Sequence, residues 1–391
     1  MHLPPHYLAL SAMMFMEYAV WGAWMPVLAV RLLGPLKMSG KQTGWIYATL
    51  PLASMFSPLL FGQAADKWVD TGWILFGCHL IGAGLLFLAA KLERFWPLFL
   101  TMLAYSIFYA ATIPLVNALM FRHVSDAHGQ GQIFIWAPVA WWLVGSLLTG
   151  IRQLFRTGAD GRDCLYLGAV LSLVMAVVCL LQPAAPPVPH QGEPLTQALA
   201  MLQHFDYAVF IAVTLAVAGM MQFYFLATSR FMQDVGIDRK NVPASMAFAQ
   251  AVQALATLLL LGVCLAHLGV KWTLTVGAGS WFLLYVIYFI GRPRLLIVLG
   301  QGFHGLAYVL FIIVGQIFVN QVAPSGIGNS AQSLLALATN GVGLFLGTQL
   351  AGITMENAST GGTFRWRKVW IVPLAILLAG VLVLAVVFQG K

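Results

Sequence analysis

Residues 183 to 189 read Pro183-Ala-Ala-Pro186-Pro187-Val-Pro189 and lie between two series of long apolar segments. Proline lacks a backbone N–H and clashes with the preceding helical turn, so this stretch cannot continue a membrane helix. The chain remains largely polar up to residue 205. We therefore predict that residues 183–205 form a linker between two halves of the chain, each built from six apolar segments.

The apolar segments have the length and composition of membrane-spanning helices. Of the 391 residues, 60% are hydrophobic and 8% are charged, whereas about 25% are charged in an ordinary soluble domain. Runs of about 20 apolar residues, enough to cross a hydrocarbon core of about 30 Å, recur along the chain. We predict helices at 7–30, 43–62, 72–90, 96–120, 131–151, 165–182, 206–228, 244–267, 271–290, 295–319, 328–352 and 369–388. The sequence thus predicts an all-α integral membrane protein that contacts lipid over most of its surface.

Charge and cysteine content exclude several other classes of protein. The net charge of +8 comes from basic residues that occur singly in short connections, so we expect no nucleic-acid partner. The cysteines lack metal-ligand spacing, and we interpret them as packing residues: Cys78, Cys164, Cys179 and Cys264. We expect no cofactor and no metal. The first residues contain neither a basic segment nor a small-residue cleavage site, so we expect the first helix to be retained.

Two sets of six helices joined by a hydrophilic linker resemble the organisation of the major facilitator superfamily. In that superfamily the two halves rock around a site near the middle of the bilayer. The resemblance implies a six-helix bundle at 1–182, a cytoplasmic Pro-rich linker at 183–205, a second six-helix bundle at 206–391, and a monomer. The connection Gly62-Gln-Ala-Ala-Asp66-Lys67-Trp68 also resembles the superfamily's short acidic and basic turn after the second helix. We expect Asp66 at the N-terminal end of the third helix, where the helix dipole favours an acid, and the neighbouring base can pair across the cytoplasmic gate. Asp66 and Lys67 are therefore candidate gating residues, with a simple solvated turn as the alternative.

Motifs from the first helix to the twelfth resemble the nucleoside:proton symporter family of this superfamily. Trp21-Gly22-Ala-Trp24 is similar to the family's Trp-Gly-Ser-Trp, and Ala65-Asp66-Lys67-Trp68 follows the second helix. Further matches are Cys78-His79-Leu-Ile81-Gly82-Ala83, Ser330-Ala331-Gln332, Thr339-Asn340-Gly341, the spacing of Gly343 and Gly347, and Trp366 with Val369-Trp370. The resemblance implies secondary transport of nucleosides by alternating access in a bacterial inner membrane, with or without a coupled proton.

Loop charge and the family resemblance predict opposite orientations of the chain in the membrane. On the predicted helices, Lys67, Arg122, Lys271 and Lys391 lie on the side of the termini, and the other sixteen of the twenty Lys and Arg residues lie on the opposite side. The positive-inside rule would then place both termini outside the cell. The family resemblance places both termini in the cytoplasm, and we follow the resemblance because it depends on position-specific matches.

A nucleoside presents a flat base and several hydroxyl groups, so its site needs aromatic faces and neutral amides. The resemblance implies a solute site formed by Gln222, Gln250, Gln253, Asn117, Trp141 and Tyr308. Gln250 and Gln253 match a Gln-x-x-Glu pair in which glutamine replaces the acid, and their spacing places both on one helical face. The alternative is that the amides only connect helices and that the aromatic rings fill the core or face lipid.

Charged residues of the family are missing at two positions, which changes the expected route of the proton. Phe134 replaces a basic residue before Ile135-Trp136-Ala137, and Val309 replaces an aspartate that is a candidate proton carrier. Glu17, in place of a family glutamine, remains well inside a predicted helix, where a charged carboxyl is costly unless it is protonated or faces a polar cavity. Glu17 and, second to it, His304 are therefore the candidate proton-coupling residues. The alternative for Glu17 is a neutral acid that bonds a neighbouring helix, and His79 is interpreted as a packing residue.

The sequence favours transport over the other functions that membrane proteins have. A membrane enzyme would need a catalytic set such as His-Glu-x-x-His, Gly-x-Ser-x-Gly or paired intramembrane acids, and the sequence contains none. It also contains no filter-like repeated loop typical of a channel. The sequence does not exclude a receptor that descends from a transporter. Within transport, the alternatives are a uniporter or a porter for another hydroxylated solute, such as a sugar or a nucleobase.

Overall fold

The structure is a computed structural model of the chain. It describes residues 4, 6–33, 35–38, 40–155, 160–187, 192–237, 242–360 and 363–390. Pro189 of the predicted linker and Lys391 of the orientation argument lie outside the described residues.

The first part of the chain consists of helices that break where the sequence contains turn signals. These helices are α1 (Tyr7–Trp24), α2 (Leu28–Leu33), α3 (Gly40–Ser54), α4 (Ser57–Lys67), α5 (Thr71–Lys91), α6 (Phe95–His123), α7 (Ala127–Phe134), α8 (Trp136–Phe155), α9 (Asp163–Leu180) and α10 (Pro194–Ala200). Pro58 lies in the first turn of α4, where its missing N–H costs no helical hydrogen bond. The Asp70 carboxylate accepts a 2.8 Å hydrogen bond from the Gly72 N–H and so caps the start of α5.

The second part begins after a short 3₁₀ turn at Met201–Gln203. Its elements are α11 (Phe205–Asp234), α12 (Val242–Leu259), α13 (Leu261–Ile290), α14 (Arg294–Ala307), α15 (Val314–Val322), α16 (Gly328–Ala336), α17 (Leu344–Ala358), the two-residue antiparallel strands β1 (Ser359–Thr360) and β2 (Thr363–Phe364), and α18 (Trp366–Val386). Wider π-helical turns connect α14 to α15 at Tyr308–Ile313 and α16 to α17 at Leu337–Gly343. A sharp kink at Gly269 (φ 68°) divides α13 between the predicted eighth and ninth helices.

The predicted all-α membrane fold is confirmed. Among the described residues, ten helices are long and apolar enough to cross a membrane. The other two predicted spans, 7–30 and 244–267, contain α1 and α12. Every predicted span therefore contains helix. The first span is broken between α1 and α2 and the second between α3 and α4, and the hydrophobicity of the sequence does not fall at either break.

The chain divides into two compact units. The first unit comprises Met1–Ala198 together with Ala323–Ala336, and the second comprises Leu199–Val322 together with Leu337–Lys391. In the first unit α5 packs against α9 and α6, α1 packs against α8 and α9, and α16 packs against α4 and α6. In the second unit α13 packs against α18, α12 against α14, and α11 against α17.

Small residues allow the helices of the second unit to approach closely. A Cβ atom on Gly219 of α11 would lie 2.9 Å from the carbonyl oxygen of Gly343, and one on Gly347 would collide with the carbonyl oxygen of Gly219. Membrane helices commonly associate through such small residues because lipid provides no hydrophobic force between them. The Gly343 and Gly347 spacing noted in the sequence thus brings α11 and α17 into backbone contact.

Candidate functional site

Glu17 lies in the middle of α1 and is fully buried within the first unit. Its Oε2 is 2.9 Å from His79 Nε2 on α5, and its Oε1 accepts a 2.7 Å hydrogen bond from the Thr112 hydroxyl on α6. The Tyr109 hydroxyl donates to the Glu17 carbonyl oxygen at 2.8 Å. Both carboxyl oxygens therefore have polar partners, as a buried acid requires.

His79 is held from its other side by α9. Its Nδ1 is 3.3 Å from the Ser172 hydroxyl, and that hydroxyl donates a 2.8 Å hydrogen bond to the His79 carbonyl oxygen. Side-chain exposure is 1% for His79 and 0% for Glu17. Among the acid–base contacts within the described residues, this one alone has both partners buried to that degree. The interpretation of His79 as a packing residue missed this partner, since no sequence rule pairs the first helix with the third.

An aromatic cluster lies one helical turn from Glu17. The Trp21 ring is 5.5 Å from the Trp141 ring of α8, edge to face, and 6.4 Å from the Tyr109 ring. The Trp21 Nε1–H is buried and has no hydrogen-bond partner within the described part of the chain. An unpaired buried donor beside two aromatic faces provides groups suited to a planar polar solute. Trp141 was predicted as a site residue, and Trp21 was quoted only as part of a motif.

Asn117 is the third predicted solute residue in the first unit. It lies on α6 with 2% of its surface exposed, and none of the residues that the structure describes donates to its Oδ1. A buried amide oxygen without a donor costs roughly 1–3 kcal/mol. Asn117 therefore does not match the alternative of an amide that simply connects two helices through its oxygen.

The second unit contains the predicted glutamines. Gln253 on α12 is 6% exposed, whereas Gln250 on the same helix and Gln222 on α11 are half-buried. Tyr308 is also half-buried and begins the π-helical turn that follows α14. The predicted solute residues thus belong to two units, with Asn117 and Trp141 in the first and the others in the second.

His304, on α14, is enclosed by aromatic side chains of the second unit. The Trp281 Nε1–H donates a 3.0 Å hydrogen bond to His304 Nδ1, and the Tyr224 ring stacks on the imidazole at 3.9 Å with an interplanar angle of 10°. The Phe225 ring packs edge to face at 5.7 Å. These contacts hold His304 as an acceptor at Nδ1.

The two positions where the resemblance led us to expect charged residues are filled by buried apolar side chains. Phe134 is 3% exposed and packs edge to face on Phe121 at 5.9 Å. Val309 is fully buried in the π-helical turn. Neither position contains a group that can bind a proton, which leaves Glu17 and His79 in the first unit and His304 in the second as the buried candidates for proton binding.

Asp66 occupies a different place from the one predicted. We expected it at the start of the third helix, but it lies in the last turn of α4, and Asp70 caps α5 instead. The buried Asp66 carboxylate accepts hydrogen bonds from the backbone N–H groups of Asn329 (3.2 Å) and Ser330 (2.8 Å) and from Asn329 Nδ2 (2.7 Å). The dipole argument holds, but the helix whose N-terminus it stabilises is α16.

Two neighbours complete this contact. Gly62, one turn before Asp66, lies so close to Ser333 of α16 that a Cβ atom at position 62 would collide with the Ser333 hydroxyl. Lys67 forms an ion pair with Glu193 at the start of α10 and lies 5.4 Å from the Trp68 ring centre. The segment at 62–67 therefore binds both α16 and the region of the predicted linker.

Comparison with known proteins gives consistent matches over the full chain. The family model described as "Nucleoside H+ symporter" matches residues 6–391. The nucleoside permease NupG of Escherichia coli (strain K12) is 26% identical over 385 residues, covering 93% of this chain and 91% of NupG. The xanthosine permease of the same organism is 25% identical over 393 residues, covering 93% of this chain and 91% of that protein. A crystal structure of a NupG variant superposes with a TM-score of 0.73 at 25% identity, covering 98% of this chain and 99% of the other.

Proposed function

The chain belongs to the nucleoside H+ symporter family, and from that premise we propose that it carries nucleosides across the bacterial inner membrane together with protons, by alternating access. It is an integral membrane transporter rather than an enzyme. The names of its relatives, a nucleoside permease and a xanthosine permease, support a nucleoside as the solute. Uptake measured with a panel of nucleosides identifies the one that it prefers.

The chemistry of the candidate solute residues supports this choice. Glutamine and asparagine side chains both donate and accept, as ribose hydroxyls and base edges require. In the second unit we assign this role to Gln222, Gln250 and Gln253, with Tyr308 as an aromatic neighbour. In the first unit we assign it to Asn117, with Trp141 as an aromatic neighbour.

The observation that supports proton coupling best is the buried contact between Glu17 and His79. A carboxylate at membrane depth is costly when it is charged and unpaired, and protonation removes that cost. Because Phe134 and Val309 replace the family's charged residues, Glu17 becomes the proposed proton carrier. His304, whose Nδ1 already accepts from Trp281, is the second candidate.

Alternating access requires contacts that form in one state and break in another. We propose that the halves at 1–182 and 206–391 move as bodies joined by the linker at 183–205. The Asp66 contact with α16 and the Lys67 ion pair with Glu193 are suited to such a gate because both join segments far apart in the chain. The apolar side chains at 134 and 309 favour facilitated diffusion of nucleosides as the second candidate function.

Uptake of a radiolabelled nucleoside panel into proteoliposomes, with and without an inward pH gradient, tests the proposal. We expect saturable uptake of at least one nucleoside and a clear stimulation by the gradient. Saturable uptake without stimulation would replace symport by facilitated diffusion. Uptake of sugars or nucleobases but not of nucleosides would show that the transported solute is not a nucleoside.

A further inference from the structure

The surroundings of Glu17 leave it a single basic partner among the described residues. Besides His79, the titratable groups around it are Cys78 from α5, Tyr105 and Tyr109 from α6, and Cys179 from α9, and Tyr18 is its neighbour along α1. None of these carries a positive charge. Any compensation of the Glu17 charge therefore comes from His79 or from a proton.

Ser172 determines which nitrogen of His79 faces Glu17 with a free lone pair. The Ser172 hydroxyl has one hydrogen, which it donates to the His79 carbonyl oxygen at 2.8 Å. The 3.3 Å contact between Ser172 Oγ and His79 Nδ1 is then favourable only if Nδ1 carries a hydrogen and donates it. In the neutral ring, Nε2 is consequently an acceptor that points at the Glu17 carboxyl group.

The 2.9 Å distance between Glu17 Oε2 and His79 Nε2 then requires a further proton. With the carboxylate charged and the ring neutral, two lone pairs would face each other at hydrogen-bond distance. One added proton gives either an acid that donates to a neutral ring or an imidazolium that donates to a carboxylate. In both forms the pair has no net charge, which lowers the cost of moving it through a dry intermediate.

Thr112 provides a hydrogen bond for either protonation state of the carboxyl group. Its hydroxyl lies 2.7 Å from Glu17 Oε1 and also 2.7 Å from the Tyr109 carbonyl oxygen, but it has one hydrogen to donate. It donates to the carboxylate when Glu17 is charged, or to the carbonyl when Oε1 needs no donor. The Tyr109 carbonyl lies three residues earlier on α6, so Thr112 keeps a hydrogen bond within its own helix when it does not donate to Glu17.

Building on the proposed function, we infer that Glu17 and His79 together form the proton-binding site and share one transported proton between Oε2 and Nε2. Ser172 positions the His79 ring. The Thr112 hydroxyl donates either to Glu17 or to the Tyr109 carbonyl oxygen, depending on the charge of Glu17. Loss of the proton leaves facing lone pairs and so weakens the contact between α1 and α5. Proton release is thereby linked to movement of α1, the helix that also carries Trp21.

The test compares His79→Gln with the parent protein in proteoliposomes. We expect nucleoside uptake driven by an inward pH gradient to fall to the level without a gradient, while exchange of labelled for unlabelled nucleoside persists. The double variant Glu17→Gln with His79→Gln should behave like either single variant, because the two residues hold the same proton. The matched control is His267→Gln, at an exposed histidine of α13, which should keep full stimulation.

A second variant, Thr112→Val, tests the same inference if His79→Gln does not fold. Thr112→Val removes a donor that stabilises the charged carboxylate more strongly than the neutral acid, since hydrogen bonds to charged groups are the stronger ones. The pH at which nucleoside affinity is half-maximal should rise by roughly one unit.

The outcomes separate this inference from the proposed function. Full pH-gradient stimulation in His79→Gln, or an unchanged pH profile in Thr112→Val, would overturn the shared site and leave proton symport in place. A parent protein that takes up nucleosides without any stimulation would overturn both.

Discussion

The Asp66 carboxylate at the end of α4 accepts a 2.7 Å hydrogen bond from the side-chain amide of Asn329, a residue 263 positions later in the chain. Two backbone N–H groups at the start of α16 donate to the same carboxylate. A negative charge at a helix N-terminus stabilises the contact by about 0.3–2 kcal/mol. The contact therefore favours whichever state of the transporter contains it.

Replacing Asp66 with Asn removes the charge and should slow transport by about two- to thirtyfold, the range that this energy implies for the balance between states. Nucleoside affinity should stay nearly constant, since no solute group is changed. Initial uptake rates and equilibrium binding measure the two effects. Asp126→Asn is the matched control, because Asp126 caps its own helix α7 through the Gly129 N–H and Asn caps helices equally well. Parental rates in Asp66→Asn would leave Asp66 without a gating role.

The glutamine amides provide the second prediction. Gln222→Ala, Gln250→Ala and Gln253→Ala should each weaken nucleoside binding by about 1–3 kcal/mol, because a polar group of the solute loses its partner. Thermal stability should change much less. Isothermal titration on the purified variants measures the affinity, and Gln203→Ala, at an exposed glutamine, is the control. The assignment fails if all three variants bind as the parent does.

The ring of Trp141 provides the third prediction. Trp141→Phe should bind nucleosides nearly as well as the parent, because it retains an aromatic face on which a base can stack. Trp141→Ala should lose about 1–3 kcal/mol, the value of stacking one base on an aromatic ring. Trp142→Ala serves as the control, since the neighbouring Trp142 is 65% exposed. Equal affinities of the Phe and Ala variants would exclude stacking on Trp141.

The carboxyl group of Glu17 provides the fourth prediction. In the parent, proton and nucleoside should favour each other's binding, so affinity should fall as the pH rises through the range in which the site loses its proton. Glu17→Gln should bind with an affinity independent of pH, lose stimulation by an inward pH gradient, and retain exchange. Binding isotherms at several pH values and counterflow measure these effects. If Glu17→Gln remains fully coupled to protons, the proton must bind elsewhere, and His304 is the next residue to test.

Membrane spans and the position of Glu17 well inside a helix could be predicted from the sequence because both depend on local hydrophobicity and length. The partners of Glu17 could not, because His79 and Thr112 are placed beside it by the packing of three helices. The same reason explains the error at Asp66, where the dipole rule was right but the relevant helix was remote in sequence. For Phe134 and Val309 the resemblance showed which charges were missing, and the structure added that both side chains are buried.

The π-helical turns at Tyr308–Ile313 and Leu337–Gly343 have a consequence for comparing this chain with its relatives. A π turn accommodates one residue more than an α turn, so it absorbs a single-residue insertion while the flanking helices keep their faces. Without it, an extra residue would rotate everything that follows by about 100°. A relative with an uninterrupted α-helix at either place should therefore be aligned with a one-residue gap inside the turn, and evolutionary changes of length there need not disturb the residues on either side.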